Sequence, residues 1–82
     1  MISVVILDKA LSIEDQLGIP ILTTEARLLH LIKAKPGNSV KYYMMESKLS
    51  YRGYYNIVNR LIDKRIVKSV ISQNDRRVRV LF

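Results

Sequence analysis

Between residues 50 and 67 the chain runs SYRGYYNIVNRLIDKRIV. Ser50 is a good N-cap, and the residues after it predict a helix to about Lys64. At about 100° per residue, Tyr54, Ile57, Val58, Leu61 and Ile62 gather within an arc of roughly 140°, which marks a core-facing side. The opposite side collects Arg52, Tyr55, Asn56, Asn59 and Asp63, with Arg60 on its flank. Asn can pair bidentately with adenine, Arg with guanine, and Tyr can reach a phosphate or pack on a thymine methyl. An ordinary solvated face would favour Glu and would gain nothing from two asparagines, which are poor helix formers.

Upstream, Ser39 offers another N-cap, with Val40 to Glu46 as a short helix and Ser47-Lys48-Leu49 as a connection of helix-turn-helix length. Before that, Thr24 can cap a helix whose first turn holds Glu25. Leu28, Leu31 and Ile32 fall on one face of it, and Pro36-Gly37 ends it. The segment from Ile2 to Leu17 reads two ways. Val4-Val5-Ile6-Leu7 favours a strand, while Ala10, Leu11 and Glu14 favour a helix, and a helix is the expectation.

Downstream the period changes to two. Val67, Ser69 and Ile71 alternate with Lys68, Val70 and Ser72; past a turn at Asn74-Asp75, Val78, Val80 and Phe82 alternate with Arg77, Arg79 and Leu81. This predicts a two-stranded hairpin. The expected fold class is α+β, a winged helix-turn-helix of three to four helices followed by a two-stranded β-hairpin wing. Arg76, Arg77 and Arg79 at or near the turn suit a narrow minor groove, whose negative potential attracts guanidinium groups.

Eighty-two residues suffice for one domain with one core, so residues 1–82 are expected to form a single winged-helix domain. Residues 1–20 form an N-terminal segment and candidate dimerisation element. An apolar content of 49% suits a folded chain. Cysteine is absent, which rules out disulfides and thiolate-held zinc and agrees with a reducing cytoplasm. The first residues lack the pattern of a signal peptide, and no apolar run is long enough to span a bilayer, so a soluble cytoplasmic protein is expected. Charge is unevenly spread: residues 1–30 carry a balance of −2 and residues 31–82 a balance of +9. That distribution suits an anionic partner, because each cation placed on a phosphate releases condensed counterions.

Residues 50–67 followed by Asp75-Arg76-Arg77 resemble the recognition helix and wing of the MarR family of bacterial transcriptional regulators. The resemblance covers roughly residues 22–82. Its most specific parts are Asn59-Arg60-Leu61, the helix exit Lys64-Arg65-Ile66-Val67 and the Asp-Arg-Arg wing. It implies that Arg52, Tyr55, Asn56 and Asn59 face the major groove, that Arg76 or Arg77 enters the minor groove, and that Asp75 orients a neighbouring arginine. Two departures stand out. Arg65 occupies a place where the family usually has Gly, so the helix is expected to end differently or under slight strain. The sequence also stops at Phe82, where family members continue into dimerisation helices. A ligand pocket of the usual form, and an effector within it, are therefore not expected, and a homodimer would have to form through residues 2–17.

The expected function is sequence-preferring binding of double-stranded DNA by a transcriptional regulator. The contacting set is Ser50, Tyr51, Arg52, Tyr55, Asn56, Asn59, Arg60, Arg76, Arg77 and Arg79. The alternative is a winged-helix module that modulates another regulator through protein contacts without touching DNA. Aliphatic residues on the outer face of 50–64 would mark that alternative; the sequence has Arg, Asn and Tyr there. The lone His30 has no second His or Cys beside it, so no metal or other cofactor is expected. No nucleophile, glycine-rich phosphate loop or paired acid and base points to an enzyme. Met44-Met45 and Tyr42-Tyr43 are expected in the core and at its rim.

Overall fold

The computed structural model describes residues 4–20 and 22–82, with Val4 by its backbone alone. Four helices, α1 (Val4–Leu17), α2 (Thr24–Ala34), α3 (Val40–Ser47) and α4 (Tyr51–Asp63), are followed by two strands of a small sheet, β2 (Ser69–Ile71) and β3 (Arg79–Leu81). The third strand, β1 (Asn38–Ser39), lies between α2 and α3. Residues 4–17 are helical, so β-branched Val4, Val5 and Ile6 do not open a strand; Ile2 and Ser3 lie outside the described residues. The choice follows from packing: Leu7 and Glu14, seven residues apart, are both buried and share one helical face.

Side-chain caps start three helices. Thr23 accepts from the Ala26 amide at 3.1 Å, Ser39 from Tyr42 at 3.1 Å and Ser50 from Gly53 at 3.2 Å. The α2 cap is thus Thr23 and not the expected Thr24. The Leu22 amide is held by the Glu14 carboxylate at 2.6 Å, which fixes the chain just ahead of Thr23, and Thr23 itself is extended (φ −69°, ψ 162°). Leu28, Leu29 and Ile32 are the buried residues of α2, with Leu31 only partly buried, a rotation of the predicted face. Ser47 is the last residue of α3, so the connection to α4 is Lys48-Leu49-Ser50, with Lys48 left-handed at φ 57°.

The sheet has three strands, in the antiparallel order β1-β3-β2, where the sequence predicted two. Asn38 and Ser39 pair with Leu81 and Val80, and the Gly37 amide donates to Leu81 at 2.7 Å. Two residues are too few to show a period of two. Gly37 has φ +85°, and a Cβ there would come within 3.3 Å of the Phe82 ring, so glycine suits the approach to the sheet. Hydrogen bonds between Lys68 and Phe82 and from Ser72 to Val78 extend the β2–β3 pairing at both ends.

β3 is the middle strand; Arg77 and Arg79 are exposed and Val78 and Val80 half-buried, as the alternation predicts, and the pattern departs only at the end of the strand. Leu81 is fully buried and Phe82 exposed, because α3 packs on the end of β3. The Tyr43 hydroxyl donates to Lys35 O, lies 3.4 Å from Leu81 O and accepts from the Asn38 amide at 3.0 Å. Val67 and Leu81 join Leu7, Leu28, Ile32, Tyr43, Tyr54, Ile57, Val58 and Leu61 in one cluster. Met44 packs against its rim, whereas Met45 is exposed, contrary to expectation.

Candidate nucleic-acid interface

α3, its left-handed turn at Lys48 and α4 form a helix-turn-helix unit. Inside α4, Tyr54, Ile57, Val58 and Leu61 are buried and Ile62 is partly so, as the 3.6-residue period requires. The Tyr54 hydroxyl donates to Val40 O at 2.6 Å, tying α4 to the start of α3. Burial and the neighbouring tyrosines push that phenol well above its usual range, so it stays protonated and remains a donor.

Arg52, Asn56, Asn59 and Arg60 are exposed, as is Asp63. Tyr55 is half-buried. It lies between Tyr51, whose ring centroid is 4.6 Å away, and Tyr54, met edge-on at 5.1 Å. Ser50 is exposed, but its hydroxyl already serves as the cap of α4. Arg60 sits 3.6 Å from Glu25 in the first turn of α2, a pair that the sequence did not announce because its partners are thirty-five positions apart. The Glu25 oxygen that faces Arg60, Oε1, is buried and has no hydrogen bond among the described residues, so the two are held by charge alone.

α4 ends in a Schellman motif. The Arg65 amide donates to Ile62 O at 2.9 Å and the Ile66 amide to Leu61 O at 3.0 Å. Arg65 adopts the left-handed conformation itself, φ 61°, so the helix ends as a glycine-bearing one would, with the strain carried by an arginine.

At the wing tip Asp75 grips Arg77. Its Oδ1 accepts from Arg77 Nε at 3.2 Å and its Oδ2 from Arg77 Nη2 at 3.3 Å, while the Arg77 amide also reaches Oδ1 at 3.0 Å. These bonds hold the Asp75 carboxyl below its usual range. The arginine beside Asp75 that is oriented is thus Arg77, and it remains 90% exposed. Arg76 is exposed, and Arg79 donates to the Ser69 hydroxyl at 3.3 Å along the wing.

Away from this face, Glu14 is buried and receives Arg27 at 2.6 and 2.7 Å as well as the Leu22 amide, which fastens α1 to the loop before α2. His30 meets Asp8 at 2.5 Å, joining α2 to α1. Among the described residues no group of three or more His, Asp or Glu is placed to hold a metal, and no helix is long and apolar enough to cross a membrane. An open groove of about 750 Å3 lies beside α1, floored by Ile6, Leu29, Ile66 and Phe82 and edged by Lys33, Arg65 and Lys68.

The architecture is matched by the PcaV transcriptional regulator from Streptomyces coelicolor, solved in complex with its natural ligand, with a TM-score of 0.67 over 74% of this chain. The fold is a winged helix. Sequence identity is 20%, so the likeness is one of fold, and the chain spans 43% of the length of that regulator. No family model matches the sequence, and no curated protein does.

Proposed function

We propose that this winged helix binds double-stranded DNA with sequence preference and acts in the cytoplasm as a MarR-like transcriptional regulator, by occupying its site. The observation that carries the reading is the outer face of α4. Its buried side is apolar, and Arg52, Asn56 and Asn59 stand exposed opposite, on the second helix of a helix-turn-helix unit. Arg52, Tyr55, Asn56 and Asn59 address base edges in the major groove, with Ser50, Tyr51 and Arg60 at the margins of that contact. Arg77, oriented by Asp75, and Arg76 address the minor groove, and Arg79 adds charge along the wing. The basic balance of residues 31–82 supports the same partner.

The proposed assembly is a homodimer through α1. Ile6, Ala10, Ile13 and Leu17 recur at spacings of four and three, the seam pattern of paired helices, and Ile6, Ile13 and Leu17 are exposed in the single chain. Two copies would address two half-sites about one DNA turn apart.

The test is selection from a mixed pool of short duplexes at two salt concentrations. It compares wild type with Arg52→Ala/Asn56→Ala and with Arg76→Ala/Arg77→Ala. A shared motif that the helix variant loses, with a shallower salt dependence in the wing variant, is the expected outcome. Retention of no duplex even at low salt would overturn the reading in favour of a protein partner on the same helix.

A further inference from the structure

We infer that the Tyr51–Tyr55 pair reads the 5-methyl group of a thymine in the major groove. The inference rests on the DNA-binding reading above and adds a base to it. Tyr51 is the first residue of α4 and is 70% exposed; by helical spacing it stands one turn before Tyr54 and Tyr55, and its exposure comes from its place at the start of the helix, beside Arg52. The residues at the start of a recognition helix are those that reach base edges.

Its ring does not wave in solvent. It lies 4.6 Å from Tyr55 at an interplanar angle of 48°, and Tyr55 stands edge-on, at 84°, to Tyr54. Tyr54 is fully buried and its hydroxyl is tied to Val40 O. Three rings thus run from the core to the surface, each limiting the rotamers of the next, so that a contact made by Tyr51 orders little that is not already ordered.

What such a preset apolar surface can recognise in duplex DNA is narrow. Base edges in the major groove are hydrogen-bond donors and acceptors, with one apolar exception, the methyl carried by thymine. The sugar and phosphate around it are met by cations: Arg52 adjoins Tyr51, Lys48 stands in the turn before α4, and the balance of charge over residues 31–82 is +9. Arg52 and Asn56 supply polar contacts one and five positions along, leaving Tyr51 the apolar one.

The experiment replaces each thymine of the selected duplex, one at a time, by deoxyuridine, which removes the methyl and leaves pairing intact. Wild type is expected to lose about fourfold in affinity at one thymine per half-site, the equivalent of the roughly 0.8 kcal/mol carried by one buried methyl-sized group. Tyr51→Phe keeps that sensitivity, since the ring is kept. Tyr51→Ser binds thymine and deoxyuridine duplexes alike, and its circular dichroism should match wild type because the side chain is exposed. Equal wild-type affinity for every deoxyuridine duplex would overturn the inference and leave the DNA reading standing. Retention of no duplex at all would overturn the DNA reading itself.

Discussion

Replacing Arg65 by glycine should stabilise the protein. Arg65 holds the left-handed residue of the Schellman motif that closes α4, at φ 61°. A side chain with a Cβ pays about 1–2 kcal/mol in that conformation. Glycine avoids this cost but loses more backbone freedom on folding, by about 0.5–1 kcal/mol. The two effects leave a net gain of about 0.5–1 kcal/mol, or a rise of about 2–8 °C in the melting temperature of a domain this size. No ion pair is broken by the change, because the Arg65 guanidinium lines the open groove beside α1 without a carboxylate against it among the described residues. Arg65→Ala separates the causes, since it removes the same long side chain and keeps the Cβ. Thermal unfolding followed by circular dichroism should place the glycine variant above wild type and above the alanine variant by about 1 kcal/mol. A glycine variant melting at or below the alanine variant would refute the reasoning, because the strain assigned to φ 61° would then not exist.

Three further outcomes are expected. Tyr54→Phe should lower stability in urea by about 1 kcal/mol with an unchanged m-value, because the partly buried Val40 carbonyl loses its 2.6 Å partner. The Asp75 carboxyl, held low by Arg77, keeps its wing contact at neutral pH and loses it only as pH falls through the depressed folded value; above the ordinary carboxylate range the contact is fully present. An NMR titration of Asp75 should therefore show a midpoint below the ordinary range of an aspartate, and Arg77→Ala should raise it. Glu25→Gln should release Arg60 from its 3.6 Å pair, steepening the salt dependence of duplex binding by about one phosphate contact, whereas an unchanged slope would assign Glu25 to stability alone.

Much of this fold was legible in the sequence, and the reasons differ by element. α4 was plain because four buried residues repeat at helical spacing over about two turns, a signal that no short-range alternative imitates. The wing was visible from its turn and its alternation, but the inward side was misjudged at Leu81. Periodicity says that neighbours face opposite ways, and only packing, here from α3, says which way is in. β1 had no signal at all, being two residues whose pairing depends on a strand far along the chain. The Thr23 cap was missed by one position because two threonines adjoin, and the deciding contact comes from Glu14 on another helix. Of the candidate interface, residue types and helical face were readable. The tilted contact of Tyr51 with Tyr55 and the charge pair of Glu25 with Arg60 were not, since they depend on rotamers and on a contact between α2 and α4.

The strand order β1-β3-β2 has a bearing on how the molecule assembles in time. The four helices and the β2–β3 hairpin can form from near neighbours within microseconds, but β3 must close on β1 about forty positions away before the three-stranded sheet is complete. Amides at Gly37 and Leu81 on either side of that closure are thus the natural reporters of the last event in folding, and in a pulse-labelling experiment they should gain protection after those inside α4.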